Sequence, residues 1–234
     1  MKIAVLTGAG VSAESGLGTY RDNGGLWDNY DPMEVASIEG WYRNRKLVLD
    51  FYNMQRRHLA EAVPNAAHMA IAGLESRAEV TVITQNVDDL HERAGSSRII
   101  HLHGEATKVR PEHGVYDDSY SEREVTCVGY SDVNLGDKSP KGVQLRPHIV
   151  FFGEAVPKLE EAIDVVAAAD VVLIVGTSMQ VYPAASLYRY ARPEARIYVV
   201  DPADIPIHDS RMVHIRQKAT EGVGTFINLL ETGK

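Results

Sequence analysis

Short uninterrupted apolar runs, separated by stretches with helical spacing, set the pattern of this chain. The runs at 2–6 (KIAVL), 80–83 (VTVI), 98–102 (RIIHL), 171–175 (VVLIV) and 196–200 (RIYVV) read as strands buried on both faces, the habit of a parallel sheet. Between them, helical spacing predicts helices over 66–77, with Ala67, Ala70, Ile71 and Leu74 as the buried stripe, and over 159–169, 184–192 and 224–231. A short helical piece at 89–95 stops at Gly95, a natural C-cap. Residues 27–65 read as helical and irregular: Trp41, Leu47, Val48, Phe51 and Leu59 give a partial period. Arg43, Arg45, Lys46, Arg56 and Arg57 fall on other faces, which reads as solvated surface. Strands alternating with helices imply parallel pairing through right-handed crossovers. Residues 105–144 break the pattern, with many Asp, Glu, Ser, Gly and Tyr and one strand candidate at 125–128, and 146–154 resumes with an apolar centre. The expected fold class is α/β: a Rossmann-like parallel sheet with helices on both faces, built from 1–104 and 145–234. A small subdomain is inserted at 105–144, and 28–63 is a helical part.

The polar residues that carry chemistry cluster where the predicted strands end. The first strand breaks into Thr7-Gly8-Ala9-Gly10, and Val11 to Ser15 starts a helix that Gly16-Leu17-Gly18 cuts short. Gly8, Gly10 and Ala13 fit G-x-G-x-x-G/A, in which glycines let the backbone approach a pyrophosphate and a helix start offers free N–H groups. A tight turn that binds nothing fits the same residues. Gln85-Asn86-Asp88, His103, Gly176-Thr177-Ser178 and Asp201 also fall at predicted strand ends, where open α/β sheets bind ligands. That coincidence favours a dinucleotide site. The polar loop at 19–29 suits a cover over the ligand, and chemistry other than hydride transfer.

Composition narrows the class. The 234 residues are 44% hydrophobic and 24% charged, ordinary for a globular enzyme. A net charge of −8 argues against general nucleic-acid binding, Arg56-Arg57 being one small basic cluster. No apolar run approaches the ~20 residues that span a bilayer, and the opening run is too short for a signal peptide. A cytoplasmic protein without membrane or nucleic-acid partners is expected, its oligomeric state left open, monomer included. The single cysteine, Cys127, excludes an internal disulfide and a four-cysteine zinc site.

GAGVSAESGLGTYR, PNAAH, TQNVDDLHERAG, HLHG, RPHIVFFGE and GTSMQVYPAA stand in an order that resembles the sirtuins, NAD-dependent protein-lysine deacylases. The likeness spans nearly the whole chain and leans to the bacterial branch that includes desuccinylating members. It implies NAD as cofactor and acylated-lysine proteins or peptides as substrates. Gly8, Ala9, Gly10, Glu14, Thr19, Tyr20 and Arg21 are then expected to hold NAD, the first three through backbone N–H groups. Gln85, Asn86 and Asp88 fall to the ribose and nicotinamide, Gly176, Thr177 and Ser178 to the adenosine side, and Asp201 to its ribose. Without the family motifs, Asn86 and Asp88 read equally as loop caps. Asn86 and His103 are the expected catalytic pair. In the family reaction the acyl carbonyl oxygen attacks ribose C1′ as nicotinamide leaves. The histidine then activates a ribose hydroxyl, and the products are free lysine and 2′-O-acyl-ADP-ribose. Taken alone, His103 reads as a core histidine. Tyr52, Gln55, Val150, Phe151, Phe152 and Gly153 are expected at the substrate, with 28–63 lining the acyl pocket, 149–154 pairing with peptide backbone, and one of the two phenylalanines in the core.

The chain departs from that family twice. Lys108-Val109-Arg110-Pro111 stands where the first zinc-binding Cys-x-x-Cys pair of most sirtuins begins, so residues 105–144 must keep their shape without zinc or stay mobile. Desuccinylating relatives carry Tyr-x-x-Arg where this chain has Tyr52-Asn53-Met54-Gln55. Gln55 makes no charge-assisted fork, which points away from succinyl and toward a neutral or hydroxylated acyl group. An NAD glycohydrolase or ADP-ribosyltransferase on the same scaffold is the competing enzyme reading, an NAD sensor without turnover the non-enzymatic one. No metal is expected: His101-x-His103 puts two imidazoles together, but the sequence offers no matching third ligand.

Overall fold

The computed structural model describes residues 1–18, 30–113, 121–205 and 209–232. The expected cover loop, with Thr19, Tyr20 and Arg21, lies outside them. In chain order the strands are β1 (Lys2–Thr7), β2 (Glu79–Thr84), β3 (Ile99–His101), β4 (Gly104–Pro111), β5 (Thr126–Cys127), β6 (Leu145–Ile149), β7 (Val171–Val175), β8 (Arg196–Val200) and β9 (Met212–Ile215). The helices are α1 (Pro32–Val35), α2 (Ile38–Arg43), α3 (Arg45–Glu61), α4 (Ala66–Gly73), α5 (Leu90–Ala94), α6 (Leu159–Ala168) and α7 (Ala219–Thr232). Among the described residues, no helix is long and apolar enough to cross a membrane.

Six strands form one sheet in the order β3-β2-β1-β7-β8-β9, all pairs parallel. The order reverses between β1 and β7, the crevice where doubly wound sheets take their ligands. Alternate residues serve opposite faces. Ile3, Val5, Leu173 and Val175 pack with Ala67 and Ile71 of α4 and Val223 and Phe226 of α7. Ala4, Leu6, Val172 and Ile174 pack with Ala162 and Val166 of α6 and with Leu187. β7 is buried along its whole length.

A second, antiparallel sheet has the order β5-β4-β6. It packs on α2 and α3: Trp41 of the first and Val48, Phe51 and Tyr52 of the second share an apolar cluster with Ala106, Val109, Ile149 and Phe151. Gly104 makes the passage from the large sheet to the small one. Its φ of +80° suits glycine, and a Cβ there would lie 2.0 Å from the His148 carbonyl oxygen.

This subdomain is fastened by charge. Arg146 holds Glu154 through two bonds of 2.6 and 2.9 Å, with both side chains buried. Arg110 stands 3.5 Å from the same carboxylate. Glu154 also accepts the Phe151 N–H at 2.7 Å, and the Arg146 guanidinium lies 4.2 Å from the Phe151 ring centroid. Glu112 accepts from Arg45 at 2.8 Å and from the Trp41 indole at 3.1 Å, joining the helices to the end of β4.

Several expectations change. Residues 145–149 belong to the small sheet rather than to the Rossmann-like body, and 104–111 is a full strand. Residues 9–11 and 13–15 form two 3-10 turns instead of the start of an α-helix, and 184–190 is also 3-10. Arg56 is fully buried instead of solvated. Its Nε donates to the Ala106 carbonyl at 2.8 Å and its guanidinium to Asn53 at 2.6 Å, while burial lowers its pKa to about 10.

Candidate active site

Strand register assembles the site. Thr7 pairs with Thr84 and with Val175, and Val175 with Val200, so Gln85, Gly8, Gly176 and Asp201 follow one another across the carboxyl edge of the sheet. The glycines make the contact between the β1 and β7 loops. Gly8 N–H donates to the Val175 carbonyl at 3.1 Å and Gly10 N–H to the Gly176 carbonyl at 2.8 Å. A Cβ on Gly10 would lie 2.7 Å from Gly176 Cα. This corrects the expectation that all three of Gly8, Ala9 and Gly10 offer free N–H groups: the two glycine donors are spent on the neighbouring loop. Among the described residues only the Ala9 N–H of the three lacks an acceptor.

A buried polar network lies beneath this edge. Ser12 Oγ donates to the Asp88 carboxylate at 2.9 Å and lies 3.1 Å from Asn86 Nδ2 and 3.4 Å from His68 Nε2. Asp88 also caps α5, accepting the Leu90 N–H at 3.1 Å, and burial raises its pKa. Gln85 Nε2 donates to Thr177 Oγ at 3.2 Å, linking the β2 and β7 loops. His91 Nε2 lies 3.1 Å from Thr7 Oγ. Burial holds His68 and His91 neutral, with pKa values of about 4 and about 3. Ser12 and His68 stand inside the GAGVS and PNAAH motifs, but their spacing gives no sign that they meet; only the fold brings them together.

Two histidines at the end of β3 lean on consecutive carbonyls. His103 Nδ1 is 3.0 Å from the Gln85 carbonyl oxygen and His101 Nδ1 is 3.4 Å from that of Asn86. With the Nδ1 proton donated to Gln85, His103 Nε2 carries the lone pair, and among the described residues it has no partner. Burial lowers the His103 pKa. His101 instead meets Glu92 at 2.7 Å, and although burial works against the charged ring, its bond to that carboxylate raises its pKa overall.

The remaining expected residues divide. Phe151 is core, packed against Trp41 and Tyr52, while Phe152 is 46% exposed. Segment 149–154 is not an open edge for peptide pairing. Val150 N–H goes to the His103 carbonyl, Phe151 N–H to Glu154, and Phe152 pairs with Ala36 and Ile38. The Val150 carbonyl and Gly153 N–H are left, among the described residues, without partners. Tyr52 is buried, which keeps its phenol protonated; Gln55, one turn on, is half-buried. Glu14 is drawn away to the start of α7, accepting from Thr220 Oγ at 2.9 Å. Asp201 caps its own turn at Ala203, and Thr177 and Ser178 follow Gly176 at the crevice.

Residues 8–183 match the family model described as the Sir2 family. A curated NAD-dependent protein deacylase of Bacteroides thetaiotaomicron is 51% identical over 229 residues, covering 97% of each chain. A Sir2 homolog–NAD complex superposes with a TM-score of 0.86 at 36% identity, covering 99% of this chain and 90% of that one. A Sir2–p53 peptide–NAD+ complex does so with 0.78 at 31%, covering 99% and 93%. With the family model matching most of its length and a relative 51% identical across 97% of it, the chain belongs to the Sir2 family.

Proposed function

We propose that this chain is an NAD-dependent protein-lysine deacylase in which His103 is the general base and Asn86 and Asp88 fix the ribose and nicotinamide end of NAD. The observation that carries the reading is the His103 ring, tethered at Nδ1 to the Gln85 carbonyl with Nε2 unpartnered beside the Asn86–Asp88–Ser12 network. The residues suit NAD: glycines let the β1 and β7 loops close on each other at the crevice, and amide, carboxylate and hydroxyl groups at the strand ends match ribose and carboxamide. When bound, NAD would supply a ribose C1′ that releases nicotinamide to the acyl carbonyl oxygen and a 2′-hydroxyl that ends up carrying the acyl group, one water being consumed as lysine is freed. His103 accepts a proton at Nε2, and its lowered pKa keeps that nitrogen unprotonated to below the usual ~6.5. Asn86, held at Nδ2 by Ser12, has its side-chain oxygen left to orient a hydroxyl or carboxamide.

Acylated-lysine peptides are the substrates. The Val150 carbonyl and Gly153 N–H suit backbone contacts, and Tyr52 with Gln55 suits a neutral or hydroxylated acyl group over succinyl. Acidic net charge and a lone cysteine fit a cytoplasmic enzyme. The test is mass-spectrometric turnover of one peptide bearing acetyl-, butyryl-, 3-hydroxybutyryl- or succinyl-lysine, with and without NAD. NAD-dependent acyl loss with 2′-O-acyl-ADP-ribose formed, abolished in His103→Ala, is the expected result, with the acid limb of kcat/KM below pH ~6.5. NAD cleavage that ignores the peptide would instead establish a glycohydrolase.

A further inference from the structure

Two residues before His103, a second chemistry-bearing cluster forms outside the NAD site. Glu92 on α5, His101 at the end of β3 and Glu105 at the start of β4 bring two carboxylate oxygens and an imidazole nitrogen within 4.8 Å of one another. The His101 ring is oriented for ligation. With its Nδ1 proton directed at the Asn86 carbonyl 3.4 Å away, Nε2 meets Glu92 at 2.7 Å through a second proton, which an ion taking that nitrogen displaces. A backbone carbonyl behind the non-ligating nitrogen is the common support of metal-bound histidine. His103 turns to Gln85 and takes no part, so the ligands that sequence spacing failed to supply come from α5 and β4.

One imidazole and two carboxylates from three separate elements suit a divalent first-row ion in the manner of Zn2+ or Co2+. His101 and Glu105 line a cleft of ≈ 210 Å³, which gives such an ion a route of entry. Lys108 supplies the positive charge at present: its Nζ is 2.7 Å from Glu105. That side chain is 36% exposed, so it can swing into water when a stronger cation arrives.

We propose that Glu92, His101 and Glu105 bind one divalent first-row transition cation, which displaces Lys108 from Glu105. The ion then stands one imidazole away from the Asn86 carbonyl, tying cation occupancy to the loop that carries Asn86 and Asp88. The reading is independent of the NAD chemistry.

Titration of the full chain with Co2+, followed by visible absorption, and with Zn2+, followed by calorimetry, tests it without any turnover. The expected result is one equivalent bound, with affinity lowered at least ~10-fold by Glu92→Gln or by Glu105→Gln, in line with loss of a ligand. Lys108→Gln removes the competing cation and is expected to tighten binding several-fold, a gain that misfolding does not produce. Three results would overturn the proposal: no saturable binding by the folded wild-type chain, unchanged or weaker binding in Lys108→Gln, or binding that survives the Glu92→Gln/Glu105→Gln pair and disappears with Cys127→Ser.

Discussion

The two sheets of this molecule are held by opposite means. Down the centre of the large sheet, Val171–Val175 is fully buried and packs into an apolar cluster on either face. The small sheet buries the charged side chains Arg110, Arg146 and Glu154, and the fully buried Arg56 of α3 packs against it. Apolar burial is non-directional and degrades by degrees as groups are deleted. A buried ion network is directional, and loss of one member leaves its partner's charge stranded. With one cysteine in the chain, the small sheet has guanidinium groups converging on Glu154. It acquires a shape that depends on geometry more than on area.

The sharpest way to break the comparison is Arg146→Met. The substitution strands Glu154, releases the Phe151 N–H from a fixed acceptor and is expected to cost about 3–5 kcal/mol. Peptide KM should rise more than NAD Kd, because Glu154 fixes the 149–154 segment. A loss under ~1 kcal/mol in urea unfolding would put the small sheet in the same class as the large one. Leu173→Ala is the matching test of the large sheet, at about 2–5 kcal/mol from lost contacts and cavity, with NAD and peptide affected alike. Lys46→Ala removes an ion pair whose partners are 69% and 51% exposed. It is expected to change stability by less than ~0.5 kcal/mol, which shows that burial, rather than charge, gives the Glu154 network its weight.

Acid reaches both regions. His68 and His91 beside the β1 loop and His148 in the small sheet stay neutral to about 4, about 3 and about 4, burial being the chief cause in each. Free imidazole takes its proton near ~6.5, so below that pH the unfolded chain binds protons that the folded one refuses. Their stabilisation is complete above ~6.5 and drains as pH falls toward the folded values, by about 1.4 kcal/mol per unit for each histidine. Urea midpoints at pH 7.5 and 5.0 measure it, and a flat profile would mean that these rings admit water and a proton.

The same division governs what the chain reveals to a reader of its sequence. β1, β2, β7 and β8 are continuous apolar runs because both faces are covered, and their polar terminators fall in one row because parallel register aligns them. β9 is four residues long and buries only Ile215, too brief for a run to stand out. β4 reads GEATKVRP, where Arg110 looks like a surface residue because nothing local announces the carboxylate that Glu154 brings to it. Arg56 escapes for the same reason, since its acceptors are Asn53 beside it and a distant carbonyl at Ala106. The polar row at the strand ends is written locally. The Ser12–His68–Asp88 network and the ions of the small sheet exist only after long-range pairing, so periodicity does not forecast them.

The reversal of strand order between β1 and β7 also bears on how the chain is made. β1 is synthesised before its neighbours, and Ile3 finds its two partners at Val80 and at Val171. During elongation β1 can pair with β2 as soon as that strand clears the ribosome. Its other edge then waits, unpaired and apolar, through the small sheet and α6 until β7 emerges. For that interval the nascent chain presents the kind of open strand edge that invites aggregation. The central position that shelters β1 in the finished enzyme leaves it with an open edge at birth.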